Sequence, residues 1–153
     1  MFTASQFVAH LVGDYVIQSD WMASEKTKQN QAALAHALTY TLPFLLLSRS
    51  PLALGLIAAS HFVIDRWRLA RYVCWAKNWL APRWISTCDC EKNPQFSCSR
   101  CNKKLRNHPW EACQGTGYGP DKPAWLAVWL LIIADNTMHL CCNALALHYL
   151  GGS

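Results

Sequence analysis

The chain has 153 residues, 52% of them hydrophobic and only 15% charged, with Trp 8 and a formal net charge of +5. That length suits one domain with its own core and argues against two, and the greasy, aromatic-rich profile points to a membrane protein. The mean hydropathy of +0.04 averages apolar stretches with a polar, cysteine-rich insertion over 76–122, so it does not contradict that reading.

Four apolar segments follow in chain order, at about 2–17, 32–47, 51–73 and 124–150. Each is near the ~20 residues that cross a bilayer, the fourth being longer, and helix is expected for all of them. The opening MFTASQFVAH lacks the basic start of a cleavable signal peptide and already carries His10. Pro43 should kink or shorten the second helix, Ser50-Pro51 and Lys122-Pro123 mark the starts of the third and fourth, and Gly151-Gly152 marks the last stop. The expected fold is all-α: a membrane bundle of about four helices built from 1–75 and 123–153, with 76–122 as a loop insertion. A soluble bundle with unusually apolar helices is the alternative.

After the third segment, Arg66, Arg68, Arg71, Lys77 and Arg83 are interleaved with Trp67, Tyr72, Trp75, Trp79 and Trp84. Such a mixture reads as a membrane-interface belt rather than a nucleic-acid patch. Four spans would put these arginines on the same side as Glu25, Lys26 and Lys28, and Arg49 with both termini on the other. The positive-inside rule then makes the insertion cytoplasmic and the termini external, in an integral membrane protein of the bacterial inner membrane if the source is bacterial or phage.

The apolar segments carry a repeated polar spacing. His10 and Asp14 lie in HLVGD, His61 and Asp65 in HFVID, and Asp135 and His139 in DNTMH, each pair separated by four positions, while His36 adds a further imidazole. Residues at i and i+4 share a helix face, so each pair can present an imidazole and a carboxylate to one point. Counting about 1.5 Å per residue places His36 and Asp135 roughly 8–17 Å from the expected cytoplasmic ends, a depth at which all could converge. Imidazole nitrogen and carboxylate oxygen suit first-row divalent metals, and bundle interiors are places where such sites are built.

His10, Asp14, His36, His61, Asp65, Asp135 and His139 are therefore the candidate ligands of one or two divalent ions. Asp14, Asp65 and Asp135 are the candidate catalytic carboxylates, and Asn136 and Asn143 are placed to orient them. Two ions would leave a charge near +1, suited to an anionic substrate such as a phosphate ester, attacked by a metal-activated water. A structural or proton-relaying hydrogen-bond network is the competing reading.

At HLVGDYVIQSDW with Lys26 following, at His36, at HFVIDRW and at PAWLAVWLLIIADNTMHLCCNALAL, the chain resembles domain-of-unknown-function family 3307, small multi-helix membrane proteins of bacteria and phages. The resemblance covers both ends of the chain and not the insertion. It implies a membrane location and highlights His10, Asp14, Gln18, His36, His61, Asp65, Asp135, Asn136 and His139, adding Gln18 to the residues expected to orient the site. The His/Asp pairs are also similar to those of predicted membrane-bound metal-dependent hydrolases, which is a likeness of motif alone.

Within the insertion, TCDCEKNPQFSCSRCNKKL places Cys88, Cys90, Cys98 and Cys101 as two close pairs. Two such pairs across a short polar loop can enclose one structural zinc, with Cys113 and His108 in reserve. Disulfides or unligated thiols are the alternatives, the former disfavoured on a cytoplasmic side. Cys74, Cys141 and Cys142 fall in helical stretches and read as small packing residues. GTGYG at 115–119 lacks the Lys-Ser/Thr of a phosphate loop and reads as a flexible return to the last helix, and Ser60 beside His61 lacks the context of a serine hydrolase.

The sequence thus points to a membrane-embedded metal-dependent hydrolase acting on a phosphate-containing or lipid substrate. The rivals are an ion or proton conductor and a membrane scaffold that recruits a partner through the cysteine loop. Nucleic acid is not the expected partner, and the sequence leaves the oligomeric state open.

Overall fold

Three side-chain oxygens start helices. Thr3 accepts from the Gln6 amide at 3.2 Å, Ser19 from Met22 at 3.4 Å and Ser50 from Ala53 at 3.4 Å, each satisfying an amide that a first helical turn leaves open. The computed structural model describes residues 2–80, 109–120 and 122–152. Among them are seven α-helices and no strand: α1 Ala4–Leu11, α2 Asp20–Glu25, α3 Asn30–Thr41, α4 Pro51–Trp67, α5 Leu69–Leu80, α6 Trp110–Cys113 and α7 Ala124–Leu150.

The four apolar segments each form helix, with local departures. The first continues past α1 as a π-helical stretch, Val12–Ile17, and the second ends in a 3-10 stretch, Leu42–Leu46, around Pro43. Proline removes an amide and crowds the preceding turn, so the tighter winding there is its direct consequence. The third segment is broken where a single helix was expected: Arg68 takes a left-handed backbone, φ 50° and ψ 50°, and α5 begins at Leu69. That helix runs on to Leu80, into what composition alone assigned to the insertion.

α4 packs against α3 and α7, α1 against α7, and α5 against α7. One end of the bundle gathers both ends of the chain and the α3–α4 connection, where the Ser48 hydroxyl donates to the Gly151 carbonyl at 2.7 Å. At the other end Arg66 clamps the α2–α3 connection, its Nε donating to Asn30 Oδ1 at 2.6 Å and its Nη1 to the Thr27 carbonyl at 2.8 Å.

Polar side chains share the interior with apolar ones, and large apolar residues lie outside. His10, His36, His61, His139, Gln6 and Asn143 are all at most 1% exposed, while Leu46, Leu52, Val16, Trp125 and Trp129 are all 60% exposed or more. Among the described residues only α7 is long and apolar enough to cross a membrane, where four spans were expected, and 11% of its most apolar window is buried inside the molecule. The helices close on one another through small side chains, with Ala32, Ala33, Ala37, Ala53 and Ala146 buried. Two apolar clusters are also buried, one holding Tyr40, Phe44, Ile57 and Ala146 and the other Cys74, Tyr118 and Ala127.

Residues 109–120 fold back on α5 rather than forming the loose return expected from GTGYG. Arg71 Nη1 donates to the Gln114 carbonyl at 3.2 Å, Tyr72 stacks on Trp110 at 4.6 Å, and Gly117 has φ 78°, with room for no Cβ because the Arg71 carbonyl would lie 2.1 Å away. Cys74 packs in the core as expected and Cys113 is buried, whereas Cys141 is exposed and Cys142 half-buried on α7.

Gly13 sets how closely the first segment approaches α3. A Cβ there would stand 2.6 Å from Tyr40 Cδ2 and 3.0 Å from the Tyr40 carbonyl oxygen. Gly13→Ala is therefore expected to destabilise the protein by about 1–3 kcal/mol through overpacking. Gly55→Ala, where a Cβ meets nothing within 4 Å, should be neutral or stabilise by up to about 1 kcal/mol. Thermal unfolding in detergent checks both, and equal midpoints for the two variants would refute the contact argument.

Candidate metal centre

Each apolar segment delivers its polar residue to one layer. Asp14 comes from the π-helical stretch, His36 from α3, His61 and Asp65 from α4, and Asp135 and His139 from α7. The i, i+4 spacing works as expected within each pair: His10 Nδ1 lies 3.4 Å from Asp14 Oδ2, His61 Nε2 3.1 Å from Asp65 Oδ2, and His139 Nε2 3.4 Å from Asp135 Oδ2.

Between helices the donors stand equally close. His36 Nε2 and His61 Nε2 are 2.9 Å apart, and Asp14 Oδ1 lies 3.2 Å from the first and 3.5 Å from the second. Asp65 Oδ2 is 3.3 Å from His36 Nε2, and Asp65 Oδ1 is 3.3 Å from His139 Nε2. Two ligands held about 2.0–2.1 Å from a zinc at a tetrahedral angle stand about 3.3 Å apart, so these separations are those of a coordination shell's edges. Two triads could each hold an ion, Asp14/His36/His61 and His61/Asp65/His139.

Ring packing fixes His61, the member common to both. Its imidazole stacks on Tyr40 at 3.7 Å between centroids and on His139 at 4.1 Å, between the two. Nδ1 of His36 and of His61 has no hydrogen-bond partner, so these rings are oriented by stacking and from the Nε2 side.

Lys26 completes the layer, and spacing gave no sign of it. Placed at the C-terminal cap of α2, it brings Nζ to 2.9 Å from Asp65 Oδ2, 3.3 Å from His36 Nε2 and 2.9 Å from the Gln18 Oε1 that accepts from it. Beside it opens a cleft of about 270 Å³ lined by Asp14, Gln18, Lys26, Arg68, Asp135 and Asn136 among others. Asp135, expected deep in the bundle, stands at this cleft with its side chain 32% exposed and belongs to neither triad.

A family model described as "Protein of unknown function (DUF3307)" matches residues 2–85, more than half of the chain. The chain belongs to the DUF3307 family. No curated protein and no solved structure matches it. The DUF3307 match spans His10, Asp14, Gln18, Lys26, His36, His61 and Asp65, so most of the layer is built from the family segment. It ends before α7, which supplies Asp135, Asn136, His139 and Asn143, and before the cysteine motif. Cys88, Cys90, Cys98, Cys101 and His108 lie outside the described residues.

His10 is set apart from the other imidazoles. Asn143 Nδ2 donates to the Tyr40 hydroxyl at 2.6 Å, which leaves that hydroxyl free to donate to His10 Nδ1 at 2.8 Å. The His10 proton then sits on Nε2, which donates to Asn136 Oδ1 at 2.8 Å. Both ring nitrogens are thus engaged in hydrogen bonds, and His10 joins neither triad. Asn136 Nδ2 passes the chain on to the Tyr15 hydroxyl at 2.9 Å.

Tyr40→Phe removes the link between Asn143 and His10 and strands both buried groups. The expected cost is about 1–3 kcal/mol for each group left unpaired. Adding Asn143→Leu should recover part of it, because one stranded donor is removed. Additive losses in denaturation of the single and double variants would sink this account of the relay.

Proposed function

We propose that this DUF3307 protein is a membrane-embedded, metal-dependent hydrolase of an anionic, phosphate-containing or lipid substrate. What carries the reading is the set of separations around His61: Nε2 or carboxylate oxygens from three separate stretches of helix stand 2.9–3.5 Å from its Nε2. Such crowding of electron-rich donors is repulsive unless protons or a cation lie among them.

One ion fits this layer better than two. An imidazole nitrogen has a single lone pair, so His61 Nε2 serves one ion at a time although it stands in both triads. Charge agrees in direction: Lys26 already offsets Asp65 and Arg68 stands at the same cleft, so the three aspartates need less added charge than two divalent ions would bring. The ion would polarise a phosphoryl or carbonyl oxygen and acidify a water. Asp135, half-buried at the cleft, is placed to take that water's proton, while Gln18 and Asn136 line the approach.

Membrane embedding is supported by the large apolar residues on the outside and by α7, whose apolar surface faces outward. The cytoplasmic side would be the end bearing Arg66, Arg68 and Arg71, the same end at which the cleft opens, so a substrate would enter at headgroup level. A structural zinc on Cys88, Cys90, Cys98 and Cys101 remains part of the proposal.

The Lys26 ammonium favours a second reading. Because it already neutralises Asp65 at 2.9 Å, the layer could be an ion-free hydrogen-bonded network serving proton or ion conduction.

Elemental analysis of detergent-purified protein separates the two. Wild type is expected to hold one equivalent of a first-row divalent ion that both His61→Ala and Asp65→Asn lose while keeping their helix content, any zinc on the cysteines remaining in all three. Both variants should also lose phosphomonoester turnover. A folded wild type with no metal beyond that shared by the variants would remove the basis of the hydrolase, and proton flux in liposomes that Asp65→Asn abolishes would install the conductor.

A further inference from the structure

The position of Lys26 conflicts with a filled metal centre, and the conflict is informative. Its ammonium lies within hydrogen-bond distance of Asp65 Oδ2 and of His36 Nε2, two atoms whose lone pairs an ion would need. The conflict is sharpest at His36 Nε2, whose single lone pair can serve the ammonium or an ion but not both, while at Asp65 the two cations would repel each other across one carboxylate. One must leave, and only Lys26 is tethered to a cleft into which it can retreat.

Two cations reach that cleft. Lys26 and Arg68 line it with Gln18, Thr27, Leu131 and Ile132, and so do the carboxylates Asp14, Asp65 and Asp135, whose charge an ion in the layer would offset. Arg68 holds its left-handed backbone although it is not glycine, and its Nη2 is anchored on the Gly115 carbonyl at 2.9 Å. The left-handed backbone sets where this side chain leaves the chain, and the Gly115 carbonyl holds its guanidinium.

We propose that Lys26 and the metal ion compete for one donor face, so that ion binding releases the ammonium into the cleft, where with Arg68 it forms a two-cation subsite for a phosphate monoester. The inference rests on the metal reading above and adds its substrate class and the order of binding, ion first and anion second. The ammonium keeps the carboxylates neutralised while no ion is present. Once the ion takes over, the same charge serves substrate binding.

The test uses the full chain in detergent and Mn²⁺, which oxygen and nitrogen donors hold and the thiolates of the insertion do not favour. Removing the competitor in Lys26→Met should tighten Mn²⁺ binding at least tenfold by calorimetry. In wild type, Mn²⁺ should speed acylation of Lys26 by an amine-reactive reagent several-fold, read by mass spectrometry, a measurement that needs no variant to fold. Ion-loaded wild type should then bind either inorganic phosphate or micelles containing short-chain phosphatidic acid, and Lys26→Met should bind neither. Binding of free phosphate would identify a soluble monoester as the source, and binding of the micelles alone a lipid headgroup.

Unchanged or weaker Mn²⁺ affinity in a folded Lys26→Met, or labelling that Mn²⁺ leaves unchanged, would overturn the competition while leaving the metal centre standing. Failure of the ion-loaded protein to bind either phosphate probe would overturn the subsite. Absence of Mn²⁺ binding to both wild type and Lys26→Met would overturn this inference, the metal centre itself being decided by the elemental analysis above.

Discussion

A carboxylate almost wholly withdrawn from water, Asp65, is the constraint around which the molecule is organised. Its side chain is 4% exposed and meets Lys26, His36, His61 and His139 within 3.3 Å, so partners arrive from α2, α3, α4 and α7. Leaving such a charge alone would cost several kcal/mol, in the range of about 3–5 kcal/mol when one member of a buried pair is removed. The surrounding architecture reads as the means of preventing that. Alanines let the helices approach, Gly13 admits the first segment against Tyr40, and stacked rings hold His61 at one angle.

The same constraint bears on what the bundle shows outside. Asp65 and four histidines are buried among apolar residues such as Phe44 and Ile57, while large apolar side chains face outward, from Leu46 on the 3-10 stretch to Trp129 on α7. Small interior residues and large exterior ones are the distribution that suits hydrocarbon surroundings, where association depends on close packing and hydrogen bonds rather than on apolar burial. The site and the membrane reading are compatible, a buried polar layer and an apolar exterior being present in one bundle.

Much of this was legible in the amino-acid order because it depends on local periodicity. The i, i+4 pairs, Ser50-Pro51 as a helix start and the span of α7 are all set by the geometry of one helix. What escaped depends on chain reversals and on neighbours. The break at Arg68 has no glycine or proline to announce it. Lys26 looks like an ordinary loop cation until α2, a helix of six residues, turns it inward. Asp135 reads as buried in LLIIADNTMH, yet its face of α7 opens on the cleft. His10 shares the spacing of the ligating pairs but is claimed by Tyr40 and Asn136, and Tyr40, four residues beyond His36 on the same face, was the available clue.

Counting charges on sequence positions alone favours two ions, because three aspartates are visible and the lysine is not assigned to them. Placing Lys26 against Asp65 changes that count, and the sharing of His61 between the triads changes the ligand supply in the same direction. A charge ledger for a buried site is thus only as good as its list of cations, and a flexible lysine is the residue most easily omitted, since its long stem lets it reach from a neighbouring element. The arithmetic of charge and the lone-pair limit of imidazole are independent arguments, and both favour a single divalent cation over two, with a displaceable organic one beside it.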